Sequence, residues 1–462
     1  MSNQVSIIFA QDERVEQNYQ LRHVINECSG DFKTCFVDDQ TYVVIKDVSN
    51  DDQTLEKVRM VAGDISREVS KYAFDKALVD ENQLVEAFAK LDQANIITAF
   101  VEGWHLGAYK FVNYKSKDEA FVTELLFNNE EDIAQYVATG QIRASATAFS
   151  RDLMNEVPNV LNPETFPTVL KEQFADTDVD VTIHDEAKLK EMEMHGILSV
   201  CRGSKYSPAF VELTYRGDES KPLVALVGKG VTFDTGGISL KGSRDLSDMR
   251  MDMGGAAAVA GAMDLLAKTK AKVNVVALIQ IVENMPDNQS LLPGEVIRYK
   301  NGHTVQVGNT DAEGRLILAD GLIRAGELKA EYVINIATLT GAVVNALGSK
   351  VAGIFGDETL SQEMKKVGDY NGDFVWPMPL VEDYESYLKS DYADFSNIST
   401  KGEAGSITAA LFLRRFVPKS AKWIHVDMAG RMNSSAAKGY YDKSATGFGA
   451  RLLADFTEHV SK

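Results

Sequence analysis

The sequence predicts an α/β protein of two domains: a smaller N-terminal α/β domain and a larger C-terminal α/β domain whose central, mostly parallel sheet is flanked by helices. A length of 462 residues is large for a single hydrophobic core. Short β-branched or apolar runs alternate with segments of helical periodicity. In the second part these runs lack polar alternation, which is typical of strands covered by helices on both faces.

The N-terminal domain is predicted for residues 1–145, which carry no catalytic signature. Its strands are predicted at "QVSIIFA" and "TYVVIKD", and its helices at "LEKVRMVAGDISREVSKYAFDKAL" and "LVEAFAKLDQANIITAFVEGWHLGAYKF". A long helix, "EEDIAQYVATGQIRASATAFSRDLMNEV", then leads into "PNVLNPETF", where prolines and asparagines break the pattern. Residues 146–162 are therefore predicted to form a connecting helix and linker.

The C-terminal domain is predicted for residues 163–462. Its buried strands are predicted at "AFVELTY", "PLVALVG", "VNVVALIQIV", "YVINIATL" and "KWIHVDMA". The intervening segments "MGGAAAVAGAMDLLAK" and "RLILADGLIRAGEL" are predicted helices. Sites in such sheets form in loops beyond the carboxyl ends of the strands, and the acidic residues of this part fall in those loops.

Composition limits the classes of function. A formal net charge of −19 argues against a broad nucleic-acid surface, which needs many Lys and Arg residues. The odd set Cys28, Cys35 and Cys201 has no metal-ligand spacing and favours a reducing compartment over a disulfide framework. No stretch approaches the roughly 18 apolar residues of a membrane span, and "MSNQVSIIFAQDERV" lacks the positive region of a signal sequence. We therefore expect a cytoplasmic protein.

The stretch "NTDAEGRL" places Asp311, Glu313 and Arg315 at every second position. In an extended chain these side chains would point the same way. Two carboxylates crowded onto one face repel each other unless a positive group lies between them. The pattern therefore raises the question of which positive group they share.

A second acidic stretch follows the strand "VALVG". It contains Lys229, Asp234 before "TGG", Lys241, and Asp252 before "MGG". Glycines near each acidic residue let backbone or a ligand approach closely. Taken singly, each has a structural explanation: a tight turn at "GKG", an acidic first helical turn at Asp252, and a solvated charge at Lys241. Together with "NTDAEGRL" they indicate a polar site.

Other site types fit the sequence poorly. "GKG" lacks the glycine and the Ser or Thr of a Walker loop, no Rossmann pattern is present, and no G-x-S-x-G elbow marks a catalytic serine. The histidines form no H-E-x-x-H pair. A metal would therefore be held by carboxylates, with an amine as an additional ligand. Four carboxylates can hold two divalent cations, which would be the positive group between Asp311 and Glu313.

The chain resembles the leucyl aminopeptidases of the cytosolic dinuclear-metal type (peptidase family M17). The resemblance rests on "VGKGVTFDTGGISLK", "MRMDMGGAA", "ENMPDNQSLLPGEVI", "NTDAEGRL", "NIATLTGA" and "GSITAALFL", which span most of residues 224–413, and on "ATGFGARLL". "NTDAEGRL" is the signature of that family. The resemblance implies a dinuclear-metal catalytic peptidase domain over residues 163–462.

The resemblance also implies a ligand set. Lys229, Asp234, Asp252 and Glu313 would bind a tightly held metal, and Asp234, Asp311 and Glu313 a more exchangeable one. The metals would be zinc or manganese, two per subunit, with magnesium or cobalt as alternatives at the exchangeable site. A lysine ligand must be neutral, so its pKa in the loaded site would lie far below the usual value.

The implied activity is removal of N-terminal Leu or other apolar residues from peptides with a free α-amine, by a metal-bridging water, in peptide turnover. Lys241 would stabilise the oxyanion, and Arg315 would hold a bicarbonate ion that transfers protons. The implied substrate pocket is lined by Met249, Asn309, Ala312, Thr338, Leu339, Gly341, Ala429 and Met432. The chain departs from the family at Gly242, where proline is common, and at Arg431, beside the implied pocket.

Two other functions stay open at this point. A two-metal phosphoesterase would use the same carboxylates and an arginine, but would be indifferent to a blocked amine. A binding protein that keeps the fold without catalysis, as a scaffold or DNA-architectural factor, would be expected to lack a ligand, whereas every expected ligand position is filled here. For assembly, the resemblance implies a homohexamer, built as a dimer of trimers.

Overall fold

The computed structural model describes residues 3–27, 30–48, 53–116, 121–242 and 245–462. Its contacts divide the chain into two compact units, Met1–Ala148 with Ser434–Ser444, and Phe149–Asn433 with Ala445–Lys462. The α/β fold class is confirmed, with sheets flanked by helices. The domain limits 1–145, 146–162 and 163–462 stay a prediction. No helix in the described part of the chain has the length and apolar character of a membrane span.

The first unit is built on a five-stranded sheet in the order β2-β3-β1-β4-β5, parallel except between β2 and β3. Its strands are β1 (Gln4–Phe9), β2 (Phe32–Val37), β3 (Gln40–Ile45), β4 (Lys76–Val79) and β5 (Glu124–Phe127). Its helices are α1 (Glu13–Gln17), α2 (Tyr19–Asn26), α3 (Leu55–Ser70), α4 (Glu81–Ala87) and α5 (Gln93–Ala108). A further helix, α6 (Glu130–Asn155), continues into the second unit.

Two helix predictions in this unit were too long. The first ended at Leu78 and so included most of Lys76–Val79, which forms strand β4 because pairing with β1 and β5 outweighs the local helical spacing. The second joined α4 and α5, which are separate helices because the Asp92 side chain accepts the N–H of Asn95 and begins a new one. Cys35 and Cys201 are free and buried, and Cys28 lies outside the described residues.

The second unit contains an eight-stranded sheet in the order β14-β13-β16-β12-β8-β9-β7-β6. Its strands are β6 (Val179–His184), β7 (Ala209–Arg216), β8 (Leu223–Asp234), β9 (Asn274–Asn284), β12 (Tyr332–Ala337), β13 (Ala352–Gly356), β14 (Val375–Pro377) and β16 (Lys422–Asp427). A small sheet is formed by β10 (Val296–Arg298), β11 (Thr304–Gln306) and β15 (Phe395–Ser396). The central strands β9, β8, β12 and β16 are parallel, as predicted.

Helices cover this sheet and bury its apolar strands. They are α7 (Phe166–Gln173), α8 (Glu186–Glu191), α9 (His195–Cys201), α10 (Gly254–Lys268), α11 (Gly314–Glu327), α12 (Gly341–Leu347), α13 (Glu358–Asn371), α14 (Gly405–Arg414) and α15 (Ala450–Val460). α10 packs on β8 and α15, whereas α11 packs on β8, β9 and α9. Both helices begin at the end of the sheet where β8 and β9 finish, so the loops before them meet at that edge.

Candidate metal centre

Three buried carboxylates meet at the carboxyl end of the central sheet. Asp234, Asp252 and Glu313 each offer an oxygen, and these atoms lie within 4.8 Å of one another. Asp234 ends β8, Asp252 follows the short 3-10 helix Ser247–Met251, and Glu313 directly precedes α11. Residues from three separate parts of the chain thus converge on one point, where the sequence predicts the cation site.

Local backbone features bring these groups together. Between Val231 and Asp234 the strand β8 has one residue more than β9, since Val231 pairs with Val282 and Asp234 with Asn284. Such a bulge changes the direction of the following side chain and is common beside active sites. Gly314 is required by close packing, because a Cβ there would lie 2.7 Å from the Cε of Lys229.

Two lysines lie among the carboxylates. The Lys229 ammonium is 2.8 Å from Asp252 and 2.8 Å from Glu313, and it donates to the carbonyl of Thr338 at 3.1 Å. The Lys241 ammonium is 2.7 Å from Asp234 and also contacts Asp311. All four predicted carboxylates and both predicted lysines therefore belong to one connected cluster.

The electrostatics of the cluster favour additional positive charge. Burial, together with repulsion from Asp234, raises the pKa of Glu313, with Lys229 opposing the shift. Burial likewise raises the pKa of Asp252 to about 6 against the attraction of Lys229. For Lys229 itself, burial opposes the charge, but the neighbouring carboxylates outweigh it and raise the pKa.

The donor set fits divalent cations. Glu313 Oε2 and Asp252 Oδ2 are buried and receive no hydrogen bond from the described residues, although the latter is paired with the Lys229 charge. A buried carboxylate oxygen without a donor is costly, and a hard cation satisfies such oxygens directly. An all-carboxylate cluster with one buried amine is thus chemically suited to the two cations that the sequence predicts.

The expectation that Asp311, Glu313 and Arg315 share one face of an extended chain was wrong. The Asn309 side chain accepts the N–H of Asp311 at 2.8 Å and turns the chain, and α11 begins at Gly314. Glu313 consequently points into the buried cluster, with its side chain 2% exposed, whereas that of Asp311 is 32% exposed. The two carboxylates occupy different sides of the cluster.

Arg315 lies buried in the first turn of α11. Its Nη1 donates to the carbonyl of Asn397 at 2.8 Å, and its Nε has no hydrogen-bond acceptor in the described part of the chain. Burial lowers the pKa of Arg315 to about 10, although Glu313 and Asp427 oppose this shift. The guanidinium is therefore charged at neutral pH, and its Nε–H is available for an anion.

The implied substrate-pocket residues lie in four segments. Met249 is half-buried in the 3-10 helix before Asp252, and Asn309 and Ala312 belong to the loop of Asp311. Thr338 donates to Asp252 at 2.8 Å, so the pocket segment Thr338–Gly341 adjoins the cluster. The remaining residues, Ala429 and Met432, follow β16, and both are half-buried.

Asp427, which the sequence analysis did not single out, links two of these segments. Its buried carboxylate accepts the N–H of Leu339 at 3.2 Å, of Thr340 at 3.3 Å and of Ala429 at 3.3 Å, and the Thr340 hydroxyl donates at 2.6 Å. Burial raises its pKa to about 6 despite these donors. The only signal in the sequence is its position at the end of a buried strand.

The two departures from the family lie at the edges of this region. Gly242 is exposed, with no atom near the position of a Cβ, so a side chain would be accommodated there. Arg431 is buried: its Nη1 donates to the carbonyl of Ser349 at 3.2 Å, and its guanidinium lies 5.2 Å from the centre of the Phe448 ring. The interior around Ser349 and Phe448 thus accommodates the Arg431 side chain.

Comparisons with a family model and with curated relatives all point to the same family of proteins. The sequence model of the cytosol aminopeptidase family, catalytic domain, matches residues 148–454. A probable cytosol aminopeptidase of Persephonella marina is 38% identical over 410 residues, covering 87% of this chain and 82% of the relative. The corresponding protein of Chlorobium limicola is 41% identical over 390 residues, covering 81% and 77%.

Among solved structures, the bottromycin maturation enzyme BotP in complex with Mn has a TM-score of 0.89 at 30% identity, covering 100% of both chains. The family match extends over all the carboxylates and lysines of the cluster. This chain therefore belongs to the cytosol aminopeptidase family and is an aminopeptidase hydrolase.

Proposed function

We propose that the protein is a dinuclear-metal leucyl aminopeptidase, which removes N-terminal Leu or other apolar residues from peptides with a free α-amine. The observation that carries this proposal is the buried cluster of Asp234, Asp252 and Glu313, with carboxylate oxygens that lack donors. Its position within the matched catalytic domain supports the same assignment.

The cluster suggests how two cations would be shared. Lys229, Asp252, Asp234 and Glu313 surround the buried side and would hold the tight cation, with Lys229 as a neutral ligand. Asp311, on the more exposed side, would hold the exchangeable cation together with Asp234 and Glu313. When bound, zinc or manganese ions would activate the attacking water and polarise the scissile carbonyl.

The side chains around the cluster would perform the remaining steps. Lys241, which contacts the two carboxylates of the exchangeable half-site, would donate to the oxygen of the scissile carbonyl as negative charge develops there. Arg315 would hold a bicarbonate ion through its buried guanidinium, and such an anion would supply general base and general acid chemistry beside the cluster. In this proposal neither Lys241 nor Arg315 is a metal ligand.

Specificity would arise from the pocket residues beside the cluster. Met249 and Met432 are flexible and apolar, which suits Leu and Met side chains of different shape. Gly341, whose Cβ position faces open space, would leave room for the substrate side chain. The assembly as a homohexamer, built as a dimer of trimers, and the cytoplasmic location stay predictions.

One assay separates this function from its alternatives. Purified protein loaded with Mn²⁺ is expected to hydrolyse leucine p-nitroanilide and to leave its N-acetylated twin intact, because the free amine is needed for binding. A phosphoesterase would instead hydrolyse p-nitrophenyl phosphate, and a non-catalytic binding protein would hydrolyse none of the three. Glu313→Gln, which removes a shared ligand, serves as the inactive control. Equal rates on the free and acetylated substrates would contradict the proposal.

A further inference from the structure

A single asparagine holds the loop that carries Asp311. Asn397 directly follows β15 and is fully buried. Its Oδ1 accepts the N–H groups of Gly308 at 2.8 Å and Asn309 at 3.3 Å. Its Nδ2 donates to the carbonyls of Asn309 at 2.7 Å and Ala312 at 3.2 Å. The side chain thus replaces backbone pairing on both sides of the turn.

The amide of Asn397 is fully used. An asparagine side chain offers two N–H donors and an oxygen with two lone pairs, and each has a partner here. Aspartate would lose both donors, and leucine would lose all four side-chain hydrogen bonds. The backbone is tied as well: the N–H of Asn397 donates to Gln306 at 3.0 Å, and its carbonyl accepts from Arg315 at 2.8 Å.

The effect of Asn397 reaches Asp311 through one intermediate. Asn397 fixes the backbone of Asn309 on both its N–H and its carbonyl. The Asn309 side chain in turn accepts the N–H of Asp311 at 2.8 Å. Because the Asp311 side chain is 32% exposed, packing alone does not fix its place. The hydrogen bonds of the loop set the backbone from which this carboxylate projects, and the contact with Lys241 acts on its end.

We propose that Asn397 is a positioning residue that sets the place of Asp311 and Arg315, and thereby the affinity of the exchangeable cation. This inference rests on the proposed dinuclear centre. Partners of metal ligands commonly change metal affinity by about 10–100-fold when they are removed. The tight cation would also be held by Asp252 and Lys229, which Asn397 does not contact through any hydrogen bond among the described residues. Glu313, which follows Ala312, is buried and is itself paired with Lys229 at 2.8 Å, so its place depends less on Asn397.

A second buried asparagine provides a contrast. Asn284 donates from Nδ2 to Asp234 at 2.8 Å and to the carbonyl of Thr310 at 3.0 Å. Asp234 is the carboxylate proposed to be shared by both cations. Removing the Asn284 amide should therefore weaken the binding of both cations. Removing the Asn397 amide should weaken the binding of the exchangeable cation only.

The test is a calorimetric titration of metal-free protein with Mn²⁺, together with the Mn²⁺ content after dialysis. In Asn397→Ala, the Kd of the weaker site is expected to rise about 10–100-fold, and that of the tighter site to change by less than about threefold. Asn284→Ala should raise the Kd of both sites. Asn371→Ala is the matched control: this buried asparagine donates to Asp455 and accepts from Asp373, so it should leave both affinities unchanged.

Thermal unfolding of each variant shows whether it is folded. If Asn397→Ala does not fold, Asn397→Ser, which keeps a hydroxyl acceptor, takes its place and should show the same selective loss. Wild-type affinity at both sites in a folded Asn397 variant, or equal weakening of both, overturns the inference while leaving the dinuclear centre intact. Fewer than two Mn²⁺ per subunit in the unmodified protein overturns the centre itself and the inference with it.

Discussion

Loading the candidate centre with cations is expected to release protons. The Lys229 amine can act as a ligand only after losing its proton, and in the metal-free protein that proton is held by Asp252 and Glu313, each 2.8 Å away. The carboxylates outweigh the effect of burial and raise the pKa of Lys229, so it is charged at pH 7. Binding of a cation by Lys229, as proposed, would displace this proton.

The carboxyl groups of the cluster would also release protons when cations bind. Burial and the Asp234 charge raise the pKa of Glu313 to about 8, and burial raises that of Asp252 to about 6. The carboxyl groups of Glu313 and Asp252 are therefore partly protonated at neutral pH. We expect about one to two protons per subunit to be released at pH 7, and each released proton changes log Kd by about one per pH unit. Affinity should consequently fall as the pH is lowered.

Calorimetry in two buffers of different protonation enthalpy measures this number directly. Titrations with Mn²⁺ between about pH 6 and pH 9 would compare the unmodified protein with Lys229→Met, which should release about one proton fewer and bind the tight cation more weakly. Lys268→Met is the matched control, since Lys268 pairs with buried Asp264 at 2.8 Å outside the cluster. If Lys229→Met releases as many protons as the unmodified protein and binds equally well, Lys229 is only a structural charge.

Two further predictions concern metal content and turnover. Glu313→Ala should lose both cations on dialysis because its carboxylate is shared, whereas Asp252→Ala should chiefly lose the tight cation and Asp311→Ala the exchangeable one. Two metals retained in Glu313→Ala would contradict the ligand assignment. Lys241→Ala should keep both metals and lower kcat by about 10²–10³-fold, as expected for one oxyanion donor, and Arg315→Ala should lower it less. An unchanged kcat in Lys241→Ala would remove Lys241 from the mechanism.

The fold could be predicted where the local pattern and the tertiary environment agree. Strands β8, β9 and β12 are buried on both faces, so their apolar runs identified them as strands. The predicted end of β8 was wrong: the strand continues to Asp234, so "GKG" pairs with β9 and is not a tight turn. Strand β4 has only four residues, too few to distinguish a period of two from a helical spacing. Its pairing partners β1 and β5 lie far away in the sequence, and no local signal identifies them.

The candidate site was predictable only in part, for a related reason. Its carboxylates and lysines stand in glycine-rich motifs that mark them in the sequence. Asn397 has no such context, because its proposed role depends on hydrogen bonds to residues such as Gly308, 89 residues earlier in the chain. Asp427 similarly acts on Thr340, 87 residues away. A buried polar residue of this kind becomes recognisable only when its hydrogen-bond partners are known.

The packing of the two lysines in the cluster leads us to expect different fates for them on cation binding. Both pair with carboxylates that are proposed as ligands of the cations. The side chain of Lys229 is 3% exposed, beneath Gly314 and the Thr338 carbonyl, so it has no solvated position for a charge. It can remain in place only by becoming a neutral ligand.

Lys241 lies on the more open side of the cluster, 10% exposed and next to the exposed Gly242. It contacts the partly exposed Asp311 rather than Glu313. When cations take its carboxylate partners, it can keep its charge by turning towards the substrate, which is where an oxyanion donor is required.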